Sequence, residues 1–227
     1  MLASLSKYLL LIFFDCVNID LGGVMWFLFS KFKFRKWKKY PYEKRFRILK
    51  ALEEKIAKSL KIKPLKLELK YDTDWNCFGA FTVENGKRKM ILNSNLIEDT
   101  RFRFHAMETI AHETRHAYQH SVVSRKLRWY EFTAKRWKRN WEGYFSATTD
   151  SVMYNNQSIE RDAQKYSIKF LKKHKHRYKK EEDWVNTFNA VNYRYEQADL
   201  DARKEYGLFY KFKIENNIRN KSREDDF

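Results

Sequence analysis

The sequence predicts a mostly helical α+β fold, and three observations lead to this class. Only 6 glycines and 2 prolines occur among 227 residues, which is too few for a turn-rich all-β protein. Long stretches without either residue place apolar side chains at helical spacing. One part of the chain alternates apolar and polar residues around an Asn-Gly pair, which is typical of a small sheet.

The first amphipathic helix and the sheet are predicted early in the chain. Residues 42–61 carry apolar side chains at helical spacing, and Pro64 ends this helix. Residues 65–71 alternate leucines with polar residues, which predicts a half-buried strand. Asn85 and Gly86 lie between two further apolar segments and predict a hairpin. We therefore expect a sheet of three strands.

Long helices are predicted for the rest of the chain. Residues 100–123 contain no Gly or Pro and have a helical pattern. Residues 126–150 are basic and rich in aromatic side chains, and Gly143 is expected to break the helix there. Residues 156–177 and 182–212 predict two more long helices at the C-terminal end.

The N-terminal segment, residues 1–40, is first apolar and then basic. Apolar runs between residues 8 and 30 are interrupted by acidic residues and followed by a dense run of Lys and Arg. An apolar stretch before a basic run is typical of the cytoplasmic side of a membrane, whereas the acidic residues oppose a spanning helix. The alternatives to membrane association are a true start at Met25 and burial of residues 8–30 against the domain assigned to residues 41–227.

The charge balance predicts an anionic partner. The chain has 47 Lys and Arg against 29 Asp and Glu, a formal net charge of +18, which suits nucleic acid or a membrane surface. Cys16 and Cys77 show no spacing of a disulfide framework or a Cys-based zinc site and are expected to be free, buried thiols. The sequence therefore predicts a cytoplasmic protein, with peripheral membrane attachment as an alternative.

One pentapeptide indicates a metal site with a catalytic base. Residues 112–116 read His-Glu-Thr-Arg-His, an H-E-x-x-H pattern inside a predicted helix. The spacing puts the imidazoles of His112 and His116 on one helix face, where both can bind one Zn²⁺. Glu113 lies beside that face and can deprotonate a water molecule. Zinc enzymes of this kind use three protein ligands, so a third ligand must come from elsewhere in the chain.

Glu160 is the best candidate for the third ligand. It begins a new helix, in which it shares a narrow face with Ala163 and Ser167 that can approach the metal helix. Asp162 is the competing candidate, either as a ligand or as an acceptor for an imidazole N–H. Four histidines fit less well, because two lie too far along the metal helix and two lie in a basic, solvated run; they are His105, His120, His174 and His176.

The two motifs together resemble a known family. His112-Glu113-x-x-His116, followed by Glu160-x-x-Ala163 in a later helix, is similar to the gluzincin-type zinc metallopeptidases, in particular the minimal single-domain ImmA/IrrE-like peptidases of bacteria and mobile elements. The resemblance spans about residues 42–175. It implies a minimal zincin fold, with a small sheet and hairpin on the metal helix, and a zinc metalloendopeptidase that acts on protein or peptide substrates. It also implies one Zn²⁺ per chain bound by His112, His116 and Glu160, with Glu113 as the general base.

Further catalytic groups are less strongly indicated. A donor that stabilises the oxyanion is expected near Glu160, and Tyr154 is the predicted residue, with Tyr144 and Tyr166 as alternatives. Arg115 and Gln119 are expected on the solvated surface of the metal helix.

A function of another class competes with the peptidase. The basic and aromatic stretches suit a protein that binds nucleic acid or a membrane surface and whose metal site is structural or vestigial. The feature that separates the two hypotheses is Glu113, because a pure binding module has no use for a base beside the ligands.

Overall fold

The computed structural model describes residues 23–71, 77–124, 131–144, 146, 154–155, 157–197 and 200. These residues form mostly helices together with one small mixed sheet, which confirms the predicted α+β class. The chain divides into two compact units, Met1–Tyr118 and Gln119–Phe227.

The first unit contains the sheet and five of the described helices. Its strands and helices are β1 (Lys66–Lys70), β2 (Gly79–Glu84), β3 (Lys87–Asn93), α1 (Gly23–Ser30), α2 (Phe34–Trp37), α3 (Tyr42–Ser59), α4 (Asn95–Glu98) and α5 (Arg103–Val123), which continues into the second unit. A short 3₁₀ turn, Thr100–Phe102, leads into α5. In the sheet, β3 lies at the centre, parallel to β1 and antiparallel to β2.

The predicted hairpin joins β2 to β3. Asn85 and Gly86 both have positive φ, 50° and 73°, which matches the two-residue turn that Asn-Gly favours. Glu84 and Lys87 face each other across this turn and set the register of the pair. Because hydrogen-bonded and non-hydrogen-bonded pairs alternate, the odd-numbered residues of β2 point their N–H and C=O groups away from β3.

Apolar side chains from the helices and the central strand fill the first unit. Helix α3 buries one face, which includes Leu49, Leu52 and Ile56, as its amphipathic pattern predicts. Met90 and Leu92 of β3 are also fully buried. Cys77 is a free thiol but is only half-buried, so its predicted burial is wrong, while Cys16 lies outside the described residues.

A glycine brings β2 close to helix α5. A Cβ atom on Gly79 would lie 2.6 Å from Thr109 Cγ2 and 3.1 Å from the carbonyl oxygen of Ile91. We expect Gly79→Ala to lower the free energy of unfolding by about 1–3 kcal/mol, because the strand must move away from the helix. Urea unfolding measures the loss. Gly143→Ala is the matched control, since its Cβ would lie 3.6 Å from the nearest atom; an equal loss in both variants would contradict the close approach.

A buried acid in α3 makes stability depend on pH. Glu53 is fully buried and accepts a hydrogen bond from the Leu65 N–H at 2.9 Å. Burial raises the pKa of Glu53 from about 4.5 to about 7. The unfolded chain therefore loses this proton at lower pH than the folded protein does, and folding stability falls as the pH rises from 4.5 to about 7.

We expect Glu53→Gln to remove this pH dependence. The amide oxygen can still accept the hydrogen bond from Leu65, and no ionised group needs to be buried. Above pH 7 the variant should therefore be more stable than the wild type by up to about 3 kcal/mol. Thermal unfolding at pH 5 and pH 8 measures the effect, and a variant with an unchanged pH slope would rule out Glu53 as its source.

The end of the apolar N-terminal segment belongs to the core. Phe29, Phe32 and Trp37 are fully buried, and the Phe32 and Trp37 rings stack at 5.1 Å. Arg45 donates to the Trp37 carbonyl oxygen at 3.2 Å, and Arg103 donates to that of Phe32 at 2.8 Å. Within the range of the buried alternative, residues 8–30, Leu28 and Phe29 are buried and Phe27 is 61% exposed, while residues 1–22 lie outside the described part.

None of the described helices has both the length and the apolar character needed to cross a membrane.

The second unit is helical in its described residues. It contains α6 (Glu131–Glu142), α7 (Ser158–Tyr178) and α8 (residues 182–197). Helix α6 ends at Glu142, directly before Gly143, where a break was predicted, and α8 covers the described part of the helix expected at 182–212. The core of this unit is rich in large side chains, including Trp137, Ile159, Phe170, Tyr178 and Trp184.

Candidate metal centre

Helix α5 buries an unusual number of polar side chains. They include both members of the predicted histidine pair and the glutamate beside them. The buried polar and charged residues of α5 are Arg103, Glu108, Thr109, His112, Glu113, Thr114, Arg115, His116, Gln119 and Ser121. Burial of polar groups costs free energy unless each group has a partner. A helix of this composition therefore points to a functional site rather than to ordinary core packing.

The expected surface positions of Arg115 and Gln119 are wrong. Arg115 is only 8% exposed, and Gln119 is fully buried. The Arg115 guanidinium lies over the ring of Tyr118, 4.5 Å from its centroid. All residues from 106 to 119 are buried, so this part of the helix has no solvated face. The polar character of Arg115 and Gln119 was therefore a poor guide to their exposure.

The two histidines of the motif face each other as predicted. His112 Nε2 and His116 Nε2 are 3.0 Å apart, and the rings meet nearly edge to face, at 78°. This proximity follows from the i, i+4 spacing, which places both side chains on the same helix face. Both side chains are at most 9% exposed.

Glu113 is held by the sheet. Its Oε2 accepts a hydrogen bond from the backbone N–H of Phe81 at 2.8 Å. Phe81 is an odd-numbered residue of β2, and its N–H points away from β3 toward the helix. The same strand also comes close to the helix at Gly79, where a Cβ atom would lie 2.6 Å from Thr109 Cγ2, one helical turn before Glu113. The carboxylate therefore has a fixed direction beside the histidine pair.

Glu160 completes a cluster of three possible ligands. His112, His116 and Glu160 each offer one ligand atom, and these atoms lie within 4.8 Å of one another. Glu160 is fully buried, as are Ala163 and Ser167, which confirms that these three residues share a buried face of α7. Among the described residues no other group of His, Cys, Asp or Glu forms such a cluster.

The donor set and spacing fit zinc. Two histidines and one glutamate are a known catalytic zinc set, with Zn–N distances of about 2.0–2.1 Å. Tetrahedral geometry then separates the two nitrogens by about 3.3 Å, close to the 3.0 Å between His112 Nε2 and His116 Nε2.

The hydroxyl group of Tyr144 contacts the Glu160 carboxylate. Tyr144, one of the two alternatives to Tyr154, donates a hydrogen bond to Glu160 Oε1 at 2.9 Å. The Tyr144 ring stacks on Trp141 at 6.2 Å and meets the Tyr154 ring nearly edge to face at 6.2 Å. Tyr154, the predicted oxyanion donor, thus packs against the tyrosine that contacts Glu160, and its catalytic role stays a prediction.

Gln119 orients the start of α7. Its Nε2 donates to the Ile159 carbonyl oxygen at 2.8 Å and to Asp162 Oδ2 at 2.8 Å. Ile159 directly precedes Glu160, and Gln119 follows His116 by one helical turn. This role of Gln119 was not predicted, although its position one helical turn after the second histidine was a usable signal. Asp162, the competing ligand candidate, thus accepts a hydrogen bond from Gln119 and is not part of the cluster of His112, His116 and Glu160.

The other candidate histidines have different surroundings. The His105 ring packs against Phe78 at 4.9 Å, and the His120 ring meets Trp141 edge to face at 6.1 Å. His174 was expected in a solvated run but is only 4% exposed, because it lies on the buried face of α7. Burial lowers the pKa of His174 to about 3.

Comparison of the chain with protein-family models, with curated proteins and with solved structures finds no match.

Proposed function

We propose that this protein is a zinc-dependent metallopeptidase of the cytoplasm. The observation that carries the proposal is the buried cluster of His112, His116 and Glu160 beside a carboxylate, Glu113, that is held in a fixed direction. Two imidazoles and one carboxylate leave one position of a four-coordinate zinc ion open, which is the arrangement of catalytic rather than structural zinc sites. The resemblance of the motifs to gluzincins supports the same activity.

The proposed chemistry is hydrolysis of a peptide bond. When bound, zinc supplies a Lewis acid that acidifies water and polarises the peptide carbonyl. Glu113 takes one proton from the attacking water, whose oxygen bonds to the carbonyl carbon, and returns that proton to the leaving amine as the C–N bond breaks. The hydrogen bond from the Phe81 N–H would keep the Glu113 carboxylate in place throughout this transfer.

The edge of the sheet gives the substrate a place to bind. Within the described part of the chain, β2 pairs on one side only, with β3. The outward N–H and C=O groups of Gly79 and Val83 flank the position of Phe81, which contacts Glu113. An extended peptide could pair with these groups through its backbone, which gives binding that depends little on side chains. A protein or peptide in an unfolded, extended form is therefore the proposed substrate.

A basic binding protein with a structural metal site is the alternative. It would account for the net charge of +18 and the exposed lysines. It would give no role to Glu113, which is buried beside the histidine pair and accepts a hydrogen bond from the Phe81 N–H.

Cleavage of an unfolded protein tests the proposal. The purified protein, loaded with zinc, is incubated with a reduced and alkylated protein, and fragments are identified by mass spectrometry. We expect cleavage that stops with a zinc chelator, continues with the non-chelating isomer of that chelator, and returns when zinc is added back. Zinc binding without any cleavage, combined with tight binding to nucleic acid, would support the alternative instead.

A further inference from the structure

The chain segment from Phe27 to Lys39, called here the 27–39 surface, presents two kinds of side chain to solvent. Phe27 and Phe34 are 61% and 42% exposed, which is high for such large apolar rings. The other exposed residues of this surface are all cationic; they are Lys33, Arg35, Lys36, Lys38 and Lys39. No Asp or Glu occurs from residue 21 to residue 42.

The 27–39 surface is fixed to the first unit. Phe32 and Trp37 are fully buried between the exposed cations, and their backbone carbonyl oxygens accept hydrogen bonds from Arg103 and Arg45. Arg45 also donates to the carbonyl oxygen of Lys38 at 3.4 Å. The cations therefore project from an ordered backbone, and the entropy cost of gathering them on a partner is lower than for a disordered basic tail.

The exposed rings and the cations lie side by side. Lys31 Nζ is 4.6 Å from the centroid of the Phe27 ring, and Lys38 Nζ is 5.3 Å from that of the Phe34 ring. An aromatic ring flanked by an ammonium group suits the interface of an anionic bilayer, where the ring enters the acyl boundary and the ammonium meets lipid phosphates. Two signals of this kind together give firmer attachment than either alone.

From these observations we infer that the 27–39 surface docks the protein on an anionic membrane. The apolar composition of the sequence immediately before it, with Lys7 as the one cation in residues 1–30, favours lipid over nucleic acid, because nucleic acid would select further cations. The inference is independent of the proposed peptidase activity. If both hold, the surface would concentrate the enzyme where membrane-associated substrates are cleaved.

Vesicle sedimentation with the full chain tests the inference. The protein is mixed with vesicles of phosphatidylcholine alone or with a third of phosphatidylglycerol, and the bound fraction is measured at low and physiological salt. We expect binding only to the anionic vesicles and weaker binding at higher salt. Replacing Lys33, Lys36 and Lys39 by Gln should weaken binding about 100-fold, since each cation near the membrane contributes roughly a factor of five.

Two further variants separate charge from insertion. A Phe27→Ser, Phe34→Ser variant should also weaken vesicle binding, which mere electrostatic attraction would not predict. A charge-matched control replaces the exposed Lys50, Lys58 and Lys63 by Gln, and it should bind like the wild type. Equal loss of vesicle binding in the control, or no binding of the wild type to anionic vesicles, would each overturn the inference. It would also be overturned if the Lys33, Lys36 and Lys39 replacements weakened binding to RNA or DNA but left vesicle binding unchanged. Thermal unfolding checks that every variant is folded.

Discussion

Replacing Glu113 by Gln is expected to lower the rate of peptide hydrolysis by about 10²–10⁴-fold while the protein keeps its zinc. Gln has nearly the same shape and its oxygen can still accept the hydrogen bond from the Phe81 N–H. It cannot take a proton from water at neutral pH. The loss should appear in kcat, with a smaller change in KM, because the missing proton transfer belongs to the transition state.

Glu108→Gln is the matched control for this variant. Glu108 lies on the same helix and is similarly buried, at 7% exposed against 8% for Glu113, but it stands one helical turn before His112, whereas Glu113 is adjacent to it. The control should keep both zinc and activity. Full activity in Glu113→Gln, or an equal loss in both variants, would remove Glu113 from the role of general base.

Replacing Glu160 by Ala is expected to weaken zinc binding by more than 100-fold. The variant loses one of three protein ligands, and loss of a group that only supports a ligand already costs about 10–100-fold. Competition with a chromogenic zinc chelator measures the affinity without any need for activity. The Glu160 side chain is fully buried, so circular dichroism and thermal unfolding must show that the variant is folded.

Asp162→Asn gives the comparison that identifies the ligand. Asp162 accepts a hydrogen bond from Gln119, and an amide oxygen can accept the same bond. We expect its zinc affinity to fall by no more than about 10–100-fold, the range of a supporting group. The reverse order, with Asp162→Asn losing zinc and Glu160→Ala retaining it, would transfer the ligand role to Asp162.

Local sequence signals predicted the elements of the fold well. The Asn85-Gly86 turn has the positive φ angles that the hairpin prediction requires. The stretch without Gly and Pro became helix α5, and Gly143 follows the end of α6. These features depend on the backbone preferences of single residues, which the sequence displays directly.

The surroundings of the candidate site were harder to predict, because they depend on contacts between distant residues. Gln119 reaches Ile159 across 40 residues, and Phe81 donates to Glu113 across 32. The burial of His174 was within reach, since Phe170, His174 and Tyr178 recur every four residues and line one face of α7. The spacing of the tyrosines along the chain could not show that Tyr144 contacts Glu160.

The most direct test of the central claim is the zinc content of the purified chain, measured by elemental analysis and by native mass spectrometry. The wild type should hold about one zinc ion per chain, and the variant with both His112 and His116 replaced by Ala should hold none, because a single remaining carboxylate binds zinc weakly. A His105→Ala control should keep the ion, since the His105 ring packs against Phe78 and is not part of the cluster. A wild-type chain that holds no zinc after zinc has been supplied would contradict the metallopeptidase account.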